Sequence, residues 1–189
     1  MLSSIFQRTA LQGVYTRENE VFPDARGRFA QIYSERHFSD FKFKQDSYSF
    51  SRKFVARGLH AQVDQVQLST IVKGSGIYMA LDLFPSSETY GNFLKIPVDA
   101  EGTNQILGLP GIAHGFAVNS EEFIVSYKSS VIYGETEQYV LSLTPYIEIN
   151  DFLISDRDLK AVMFEDYKAS IEKINFDTKG VRDGVIFEK

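Results

Sequence analysis

Cysteine and tryptophan are absent from this sequence of 189 residues, and histidine occurs only three times. Without cysteine the chain forms no disulfide and no thiolate metal site, which suits a reducing compartment. No stretch approaches the roughly 18 apolar residues of a membrane-spanning helix. The N-terminal segment MLSSIFQRTALQGVY has one basic residue and no continuous apolar run, so it does not look like a signal peptide. We expect a soluble, cytoplasmic protein that does not bind membranes.

An excess of basic charge is also missing, since the formal net charge is −5. This charge argues against nucleic acid as a partner, and an anionic ligand would have to be held by local arginines. Neither GxxxxGK[ST] nor GxGxxG occurs, and Gly74-Ser75-Gly76 is typical of a hairpin turn. Arg26 and Arg57 each lie next to a glycine, which would allow close approach of a phosphate to the backbone.

Aromatic and β-branched residues dominate many short segments separated by turn signals. The sequence contains 16 Phe and 10 Tyr, and its hydrophobic fraction is 43%. We find no repeat or linker, so we expect one domain over residues 1–189, with a barrel core at about 11–150. The pattern favours an all-β sandwich or small barrel. The predicted strands are 29–34, 47–56, 67–74, 76–84, 92–98, 104–110, 116–119, 122–133 and 139–145.

The C-terminal part of the sequence has helical periodicity instead. Apolar residues recur at intervals of three and four between Leu159 and Ile171, and Ser155 precedes them as a plausible N-cap. This spacing predicts a helix over about 155–174, packed on the outside of the β core. Separate short pieces are the alternative.

A metal site is not expected from the histidines. A metal-binding β-barrel would need a pattern such as HxH, but Gln62 stands where the second histidine after His60 would fall. His114 is distant in sequence, no HExxH motif occurs, and His37 lies in a segment that we interpret as surface. We therefore expect no metal.

Several motifs in one order carry a resemblance to a known family. They are DARGRF (24–29), QDSYSFS (45–51), RGLHAQ (57–62), AHGF (113–116), YKSSVIY (127–133) and LISDRD (153–158). Over residues 11–158 the chain resembles the dTDP-4-dehydrorhamnose 3,5-epimerases. That resemblance implies a double-stranded β-helix of the cupin jelly-roll class, a homodimer, and an isomerase that needs neither metal nor cofactor.

The resemblance also implies a substrate and a reaction. The family acts on a nucleoside-diphosphate 4-keto-6-deoxy sugar, whose ketone acidifies the C–H bonds at C3 and C5. A base removes a proton to form an enolate, and an acid returns a proton on the opposite face. Such deoxysugars are expected to supply cell-envelope or O-antigen polysaccharides.

By position in these motifs, the resemblance assigns roles to individual residues. His60 is implied as the base, Tyr127 as the acid, and Asp158 as the carboxylate that orients His60, although Asp156 is close by in the same loop. The implied substrate-binding residues are Arg26, Phe29, Gln45, Ser47, Arg57, Gln67 and His114, with Arg26 supplied by the partner subunit in one arrangement.

The geometry of the strand at Gly58 and two residue replacements bear on this assignment. Arg57 and His60 would point to opposite faces of a regular strand, so a bulge at Gly58 is needed to bring both into one pocket. Gln67 stands where the family has a lysine that assists charge at the ketone oxygen, and Ser47 replaces the asparagine of its QdN motif. These departures leave several functions open.

The first alternative is an epimerase for one carbon, or for a CDP-, GDP- or 6-deoxy-heptose sugar nucleotide. The second is a cupin that binds nucleotide sugars without turnover. A metal-dependent cupin is the third, and a ketoisomerase ranks below epimerisation because its histidine-rich motif is missing.

Overall fold

The computed structural model describes residues 5–62 and 64–171, and within them most of the regular structure is β-strand. The strands are β1 (Gln7–Arg8), β2 (Val14–Glu18), β3 (Val21–Asp24), β4 (Gly27–Ala30), β5 (Gln45–Arg52), β6 (Ala56–Gln62), β7 (Gln67–Lys73), β8 (Ser75–Asp82), β9 (Phe93–Asp99), β10 (Thr103–Gly108), β11 (Ile112–Val118), β12 (Glu122–Ser129) and β13 (Gln138–Val140). Two α-helices follow, α1 (Asp156–Leu159) and α2 (Phe164–Ile171). Single 3₁₀ turns lie at Glu35–His37 and Ile149–Asp151.

The strands form two antiparallel sheets and a small separate ribbon. One sheet has the order β1-β2-β10-β7-β12-β5, and the other has the order β13-β6-β11-β8-β9. The ribbon is the hairpin β3–β4, whose turn falls at Asp24–Gly27. Two facing sheets with these crossovers are the jelly roll of the cupin class, so the predicted all-β fold is confirmed.

Alternation along the strands distributes apolar side chains over three layers. In β10, Ile106 joins the cluster between the two sheets, while its neighbour Leu107 joins a cluster beneath the segment that contains Phe38. On the outer face of the other sheet, Leu59 and Met79 pack with residues of the C-terminal segment. The five-stranded sheet is thus covered on both faces, which explains the nearly continuous apolar runs in β8 and β11.

The single C-terminal helix predicted over 155–174 is wrong, and two short helices take its place. Between them the backbone carbonyl of Val162 accepts a hydrogen bond of 2.8 Å from Ser142 N–H, and Val162 forms a parallel bridge with Leu141. The chain becomes extended there because its backbone pairs with the end of β13. Ser155 does cap α1, since its hydroxyl accepts a 3.2 Å hydrogen bond from Asp158 N–H. Residues 172–174 of the prediction lie outside the described residues.

Strand prediction failed mainly where polar residues interrupt the pattern. Strand β6, with the sequence ARGLHAQ, did not stand out by periodicity, because its polar side chains and glycine obscure the pattern; it was treated as a strand only in the argument for a bulge at Gly58. Strands β2 and β3 were also missed, and residues 31–34 are not a strand. Within the described residues, no helix is long and apolar enough to cross a membrane.

Candidate active site

A cavity of about 260 Å³ opens between the two sheets and gathers most of the predicted site residues. Strands of both sheets contribute to its walls, chiefly β6 and β11 on one side and β5, β7 and β12 on the other. The predicted residues that line it are Gln45, Ser47, Arg57, His60, Gln67, His114 and Tyr127.

His60 and Tyr127 enter this cavity from opposite sheets. His60 lies on β6 of the five-stranded sheet, and Tyr127 lies on β12 of the six-stranded sheet. Both side chains line the same space. A planar ring placed between the sheets would therefore meet an imidazole on one face and a phenol on the other.

A buried carboxylate supports His60 from behind. The Nε2 atom of His60 lies 2.7 Å from Oδ1 of Asp158, whose side chain is only 4% exposed. Because an ionised carboxylate can only accept, the proton of the neutral imidazole is on Nε2 and the lone pair is on Nδ1. Asp158, and not Asp156, is therefore the carboxylate beside His60.

The charge of Asp158 is stabilised where it lies. Burial raises the pKa of this carboxyl, but the hydrogen bond and charge of His60 and the N–H of Gly58 outweigh burial and lower the pKa below its ordinary value. Gly58 N–H donates to Oδ2 at 3.3 Å. The capping bond from Ser155 anchors the start of α1, so the carboxylate is held at a fixed position.

A bulge in β6 brings Arg57 and His60 to the same side. His114 of β11 pairs with His60, but Phe116 pairs with Arg57, so β6 has one more residue than β11 in this interval. Gly58 adopts a φ of +117°, and a Cβ there would lie 2.6 Å from the Cα of Gly115. Only glycine fits this backbone. The irregularity expected at Gly58 is present.

The phenol of Tyr127 is held in its neutral form. Its hydroxyl shares a 2.8 Å hydrogen bond with the hydroxyl of Ser49 on the neighbouring strand β5. Burial raises the pKa of Tyr127 to about 12, although Ser49 and the charge of Arg57 act in the opposite direction. Lys128, the next residue, points to the outer face, where its ammonium lies 2.6 Å from Asp46 and over the ring of Tyr33.

His114 is buried in the floor of the cavity and paired with Tyr78. The Tyr78 hydroxyl is hydrogen-bonded to His114 Nδ1, whereas His114 Nε2 has no partner among the described residues. Burial, together with the nearby charge of His60, lowers the pKa of His114 to about 3. His114 is therefore a neutral imidazole at all ordinary pH values.

Arg57 lies at the rim of the cavity in a position to meet an anion. Its Nε donates to Ser51 Oγ at 3.0 Å, and Nη2 donates to the Phe50 carbonyl at 3.2 Å. These contacts hold the guanidinium in place while leaving further N–H groups to bind a ligand.

Arg26 and Phe29 lie away from the cavity within one chain. Both belong to the β3–β4 hairpin, where Phe29 is 66% exposed and the Arg26 side chain is 90% exposed. Arg26 pairs with Asp24 of the same turn at 2.6 Å. A role for either residue in the site requires that the hairpin reach a second copy of the chain.

Comparison with known proteins identifies the family of the chain. Residues 8–166 match the family model described as dTDP-4-dehydrorhamnose 3,5-epimerase. The chain belongs to this family.

Individual epimerases of the family resemble the chain over most of its length. The dTDP-4-dehydrorhamnose 3,5-epimerase of Methanothermobacter thermautotrophicus is 35% identical over 134 residues, covering 68% of this chain and 72% of the relative. The crystal structure of the Elizabethkingia anophelis NUHP1 enzyme matches with a TM-score of 0.76 and 31% identity, covering 86% and 97% of the two chains. A 4-keto-6-deoxy sugar epimerase from the novobiocin gene cluster of Streptomyces spheroides gives a TM-score of 0.79 at 26% identity, with 87% and 89% covered.

Several residues that line the epimerase cavity were not predicted from the sequence. Gln62, Gln65 and Ser129 form a buried chain of hydrogen bonds in which Gln65 Nε2 donates to both others, at 3.1 and 2.9 Å. Tyr78 was assigned only to a β-strand. Its alternation with the apolar Ile77 and Met79 gave no sign of a polar contact, because phenylalanine would produce the same pattern.

Metal ligands do not converge in this site. Among residues 5–62 and 64–171, no group of three or more His, Asp or Glu side chains is arranged to hold a metal ion.

Proposed function

We propose that the protein epimerises a nucleoside-diphosphate 4-keto-6-deoxy sugar at C3, C5 or both, with His60 as base and Tyr127 as acid. One observation carries this proposal: an imidazole backed by a buried carboxylate and a neutral phenol line one cavity from opposite sheets. Inversion at a carbon needs a proton acceptor on one face and a proton donor on the other, and this arrangement supplies both.

Each inversion is a balanced pair of proton transfers. His60 Nδ1 takes the proton from C3, and the electrons of the broken C–H bond form the enolate with its negative charge on the C4 oxygen. Tyr127 then gives its proton to the opposite face of C3, and the ketone is restored. The imidazolium returns its proton to solvent, and the phenolate takes one from solvent.

Asp158 acts through His60 in this scheme. Its charge stabilises the imidazolium that forms when the proton is taken, and its hydrogen bond keeps Nδ1 as the basic nitrogen. A carboxylate that stays ionised, as the lowered pKa of Asp158 indicates, is suited to this role.

The same pair of residues can serve both carbons. In a gluco-configured pyranose chair, the hydrogens on C3 and C5 are both axial and lie on the same face. A base on that face reaches either hydrogen after a small shift of the ring, and both carbanions share the C4 ketone. This geometry supports a double epimerase, with inversion at one carbon as the variant.

The diphosphate is assigned to Arg57 at the rim, with Gln45 and Ser47 nearby in the cavity wall. We include in the proposal a homodimer in which Arg26 and Phe29 of one copy complete the site of the other. Their high exposure and their position on a separate hairpin support this arrangement. We propose that its cellular role is to supply deoxysugars for polysaccharide synthesis, as a cytoplasmic enzyme.

Several sugars and nucleotide bases are candidates for the substrate. Gln67, a neutral amide, lines the cavity where the family has a lysine, which favours a substrate that differs from that of the named relatives. A panel of dTDP-, CDP- and GDP-linked 4-keto-6-deoxy sugars, including a heptose, separates these possibilities.

The test is proton NMR of that panel in deuterated water. We expect the wild-type protein to place deuterium at C3 or C5 with inversion, and His60→Ala to lose at least about 100-fold in rate. His37→Ala, a histidine outside the cavity, is the matched control and should remain active. If calorimetry detects binding but no nucleotide sugar exchanges a proton, the protein is a binding cupin and the proposal is wrong.

A further inference from the structure

The enolate oxygen of the proposed reaction needs a hydrogen-bond donor, and no lysine of the described residues lines the cavity to supply it. Among the described residues, Arg57 is the one arginine or lysine that lines the cavity, and it is assigned to the diphosphate. Gln67 stands in place of the family lysine and donates to Ser69 Oγ at 3.0 Å. The second amide N–H of Gln67 could also donate, but a neutral amide stabilises an oxyanion less than an ammonium, so a further donor close to Gln67 would strengthen the site.

Tyr78 is the phenol that lies at this point. It projects from β8 of the five-stranded sheet, and its hydroxyl is close to Ser69 and Gln67 of β7 in the opposite sheet. It also lies near enough to Tyr127 for the two groups to interact electrostatically. Nothing in the assigned roles of His60, Tyr127 or Arg57 uses this buried hydroxyl.

The hydrogen bond between Tyr78 and His114 decides which way the phenol proton points. His114 Nε2 is buried and has no partner in the described part of the chain. Buried N–H groups without an acceptor are rarer than buried nitrogen lone pairs without a donor. Nε2 therefore has the lone pair, and the proton of this neutral imidazole is on Nδ1. His114 Nδ1–H then donates to the Tyr78 oxygen, and the Tyr78 proton is left for another acceptor.

Gly108 helps to keep His114 in this orientation. The Cε1 corner of the imidazole packs against Gly108 of β10, where a Cβ would overlap the ring. This contact holds the ring in place, and its Nδ1 meets the Tyr78 hydroxyl. His114 thus acts as a positioning residue, and its donated bond makes the Tyr78 hydroxyl a stronger donor.

We propose that Tyr78, oriented by His114, donates its hydroxyl proton in a hydrogen bond to the C4 oxygen of the substrate and stabilises the enolate. This inference rests on the proposed function and adds a third group to it. While His60 breaks the C–H bond and charge moves to the C4 oxygen, the Tyr78 proton stays on its phenol. Without substrate, Ser69 Oγ is an alternative acceptor for that proton.

Solvent exchange distinguishes this role from the role of Tyr127. Loss of the acid blocks inversion but still allows the base to remove and return a proton on its own face. Loss of an enolate donor slows the removal itself, so exchange and inversion fall together. For Tyr78→Phe we expect both rates to fall by about 100-fold or more, with KM changed by less than about threefold.

Tyr15→Phe is the matched control, because Tyr15 is a buried phenol in the cluster on the outer face of the six-stranded sheet. Its exchange rate should equal that of the wild type. If the wild type is active and Tyr78→Phe exchanges protons at a rate within about threefold of the wild-type rate, the inference is overturned. A wild type that exchanges no proton on any substrate of the panel would instead overturn the proposed function.

Three further variants test the inference if Tyr78→Phe does not fold. Fluorotyrosine at position 78 preserves the shape and strengthens the donor, so it should accelerate exchange, and an unchanged rate contradicts the inference. At position 114, His114→Asn can still donate to the Tyr78 oxygen, whereas His114→Leu cannot. Higher kcat in His114→Asn than in His114→Leu supports the positioning role, and equal kcat values refute it.

Discussion

The imidazole of His60 and the carboxylate of Asp158 are 98 positions apart in sequence, yet Nε2 and Oδ1 lie 2.7 Å apart. The β6 bulge presents the histidine, and the capped first turn of α1 presents the carboxylate. The N–H of Gly58, within the bulge, donates to the same carboxylate. Strand β6 and the C-terminal segment are therefore joined at the proposed base, His60.

Removing the charge of Asp158 should slow the reaction through His60. Asp158→Asn keeps the size of the side chain but no longer stabilises an imidazolium or enforces the proton on Nε2. We expect kcat to fall by about 100-fold or more while the Kd for dTDP stays unchanged. Asp156→Asn, the exposed neighbour on the same turn, is the control. Equal losses in the two variants would contradict the assignment.

The same carboxylate should make stability depend on acid pH. Its folded pKa is lowered, so its contribution to the free energy of unfolding is present above the unfolded value of about 3.9 and is lost as pH falls through the folded pKa. In urea denaturation, the stability gap between wild type and Asp158→Asn should shrink as the pH is lowered below about 4. A gap that is constant with pH would show that the carboxylate is not stabilised in the fold.

A side chain at Gly58 should disturb both the base and the diphosphate site. Gly58→Ala places a Cβ 2.6 Å from Gly115 Cα and 2.7 Å from the His114 carbonyl, at a φ of +117°. The backbone conformation alone costs about 1–3 kcal/mol, and the overlap adds to it.

Gly27→Ala provides the control for that change, since its φ is +135° but nothing lies within 4 Å of a Cβ there. Thermal denaturation should show a clearly larger loss of stability for Gly58→Ala, together with loss of activity. Similar shifts in the two variants would mean that the bulge tolerates the extra contact.

Arg57 should contribute to binding more than to chemistry. Replacing it with methionine removes charge-assisted hydrogen bonds to the diphosphate, which are worth about 1.5–3 kcal/mol, or roughly 10- to 100-fold in Kd. Calorimetry with dTDP measures this loss, which should diminish at high salt. Arg52→Met, at an exposed position on β5, should bind like the wild type. Equal Kd values for both variants would remove Arg57 from the diphosphate site.

The fold and the candidate site residues were predicted from different kinds of sequence signal. The all-β architecture follows from short apolar runs and turns, because alternation and turn residues are local properties. Asp158 was identified from its motif, and its contact with His60 depends on how the C-terminal segment folds back. Local periodicity also failed at Val162, where a tertiary backbone hydrogen bond overrides the helical pattern.

Other parts of the site could not be predicted from local patterns at all. The Tyr78–His114 pair joins residues on adjacent strands through side chains that look apolar or structural in the sequence. Its chemical character depends on burial and on a ring nitrogen of His114 that has no partner among residues 5–62 and 64–171, and only the packed structure shows both. The exposure of Arg26 likewise depends on where the β3–β4 hairpin lies relative to the two sheets, and local sequence patterns do not predict that position.

The most direct test of the account follows the stereochemistry of exchange in Tyr127→Phe. Proton NMR in deuterated water reads both deuterium content and configuration at C3 and C5 of the 4-keto-6-deoxy sugar. With His60 and Tyr127 on opposite sides of the ring, the wild type should yield deuterated, inverted sugar, and Tyr127→Phe should yield deuterated sugar of retained configuration. Inversion by Tyr127→Phe at the wild-type rate would contradict the account, because the acid would then be another group.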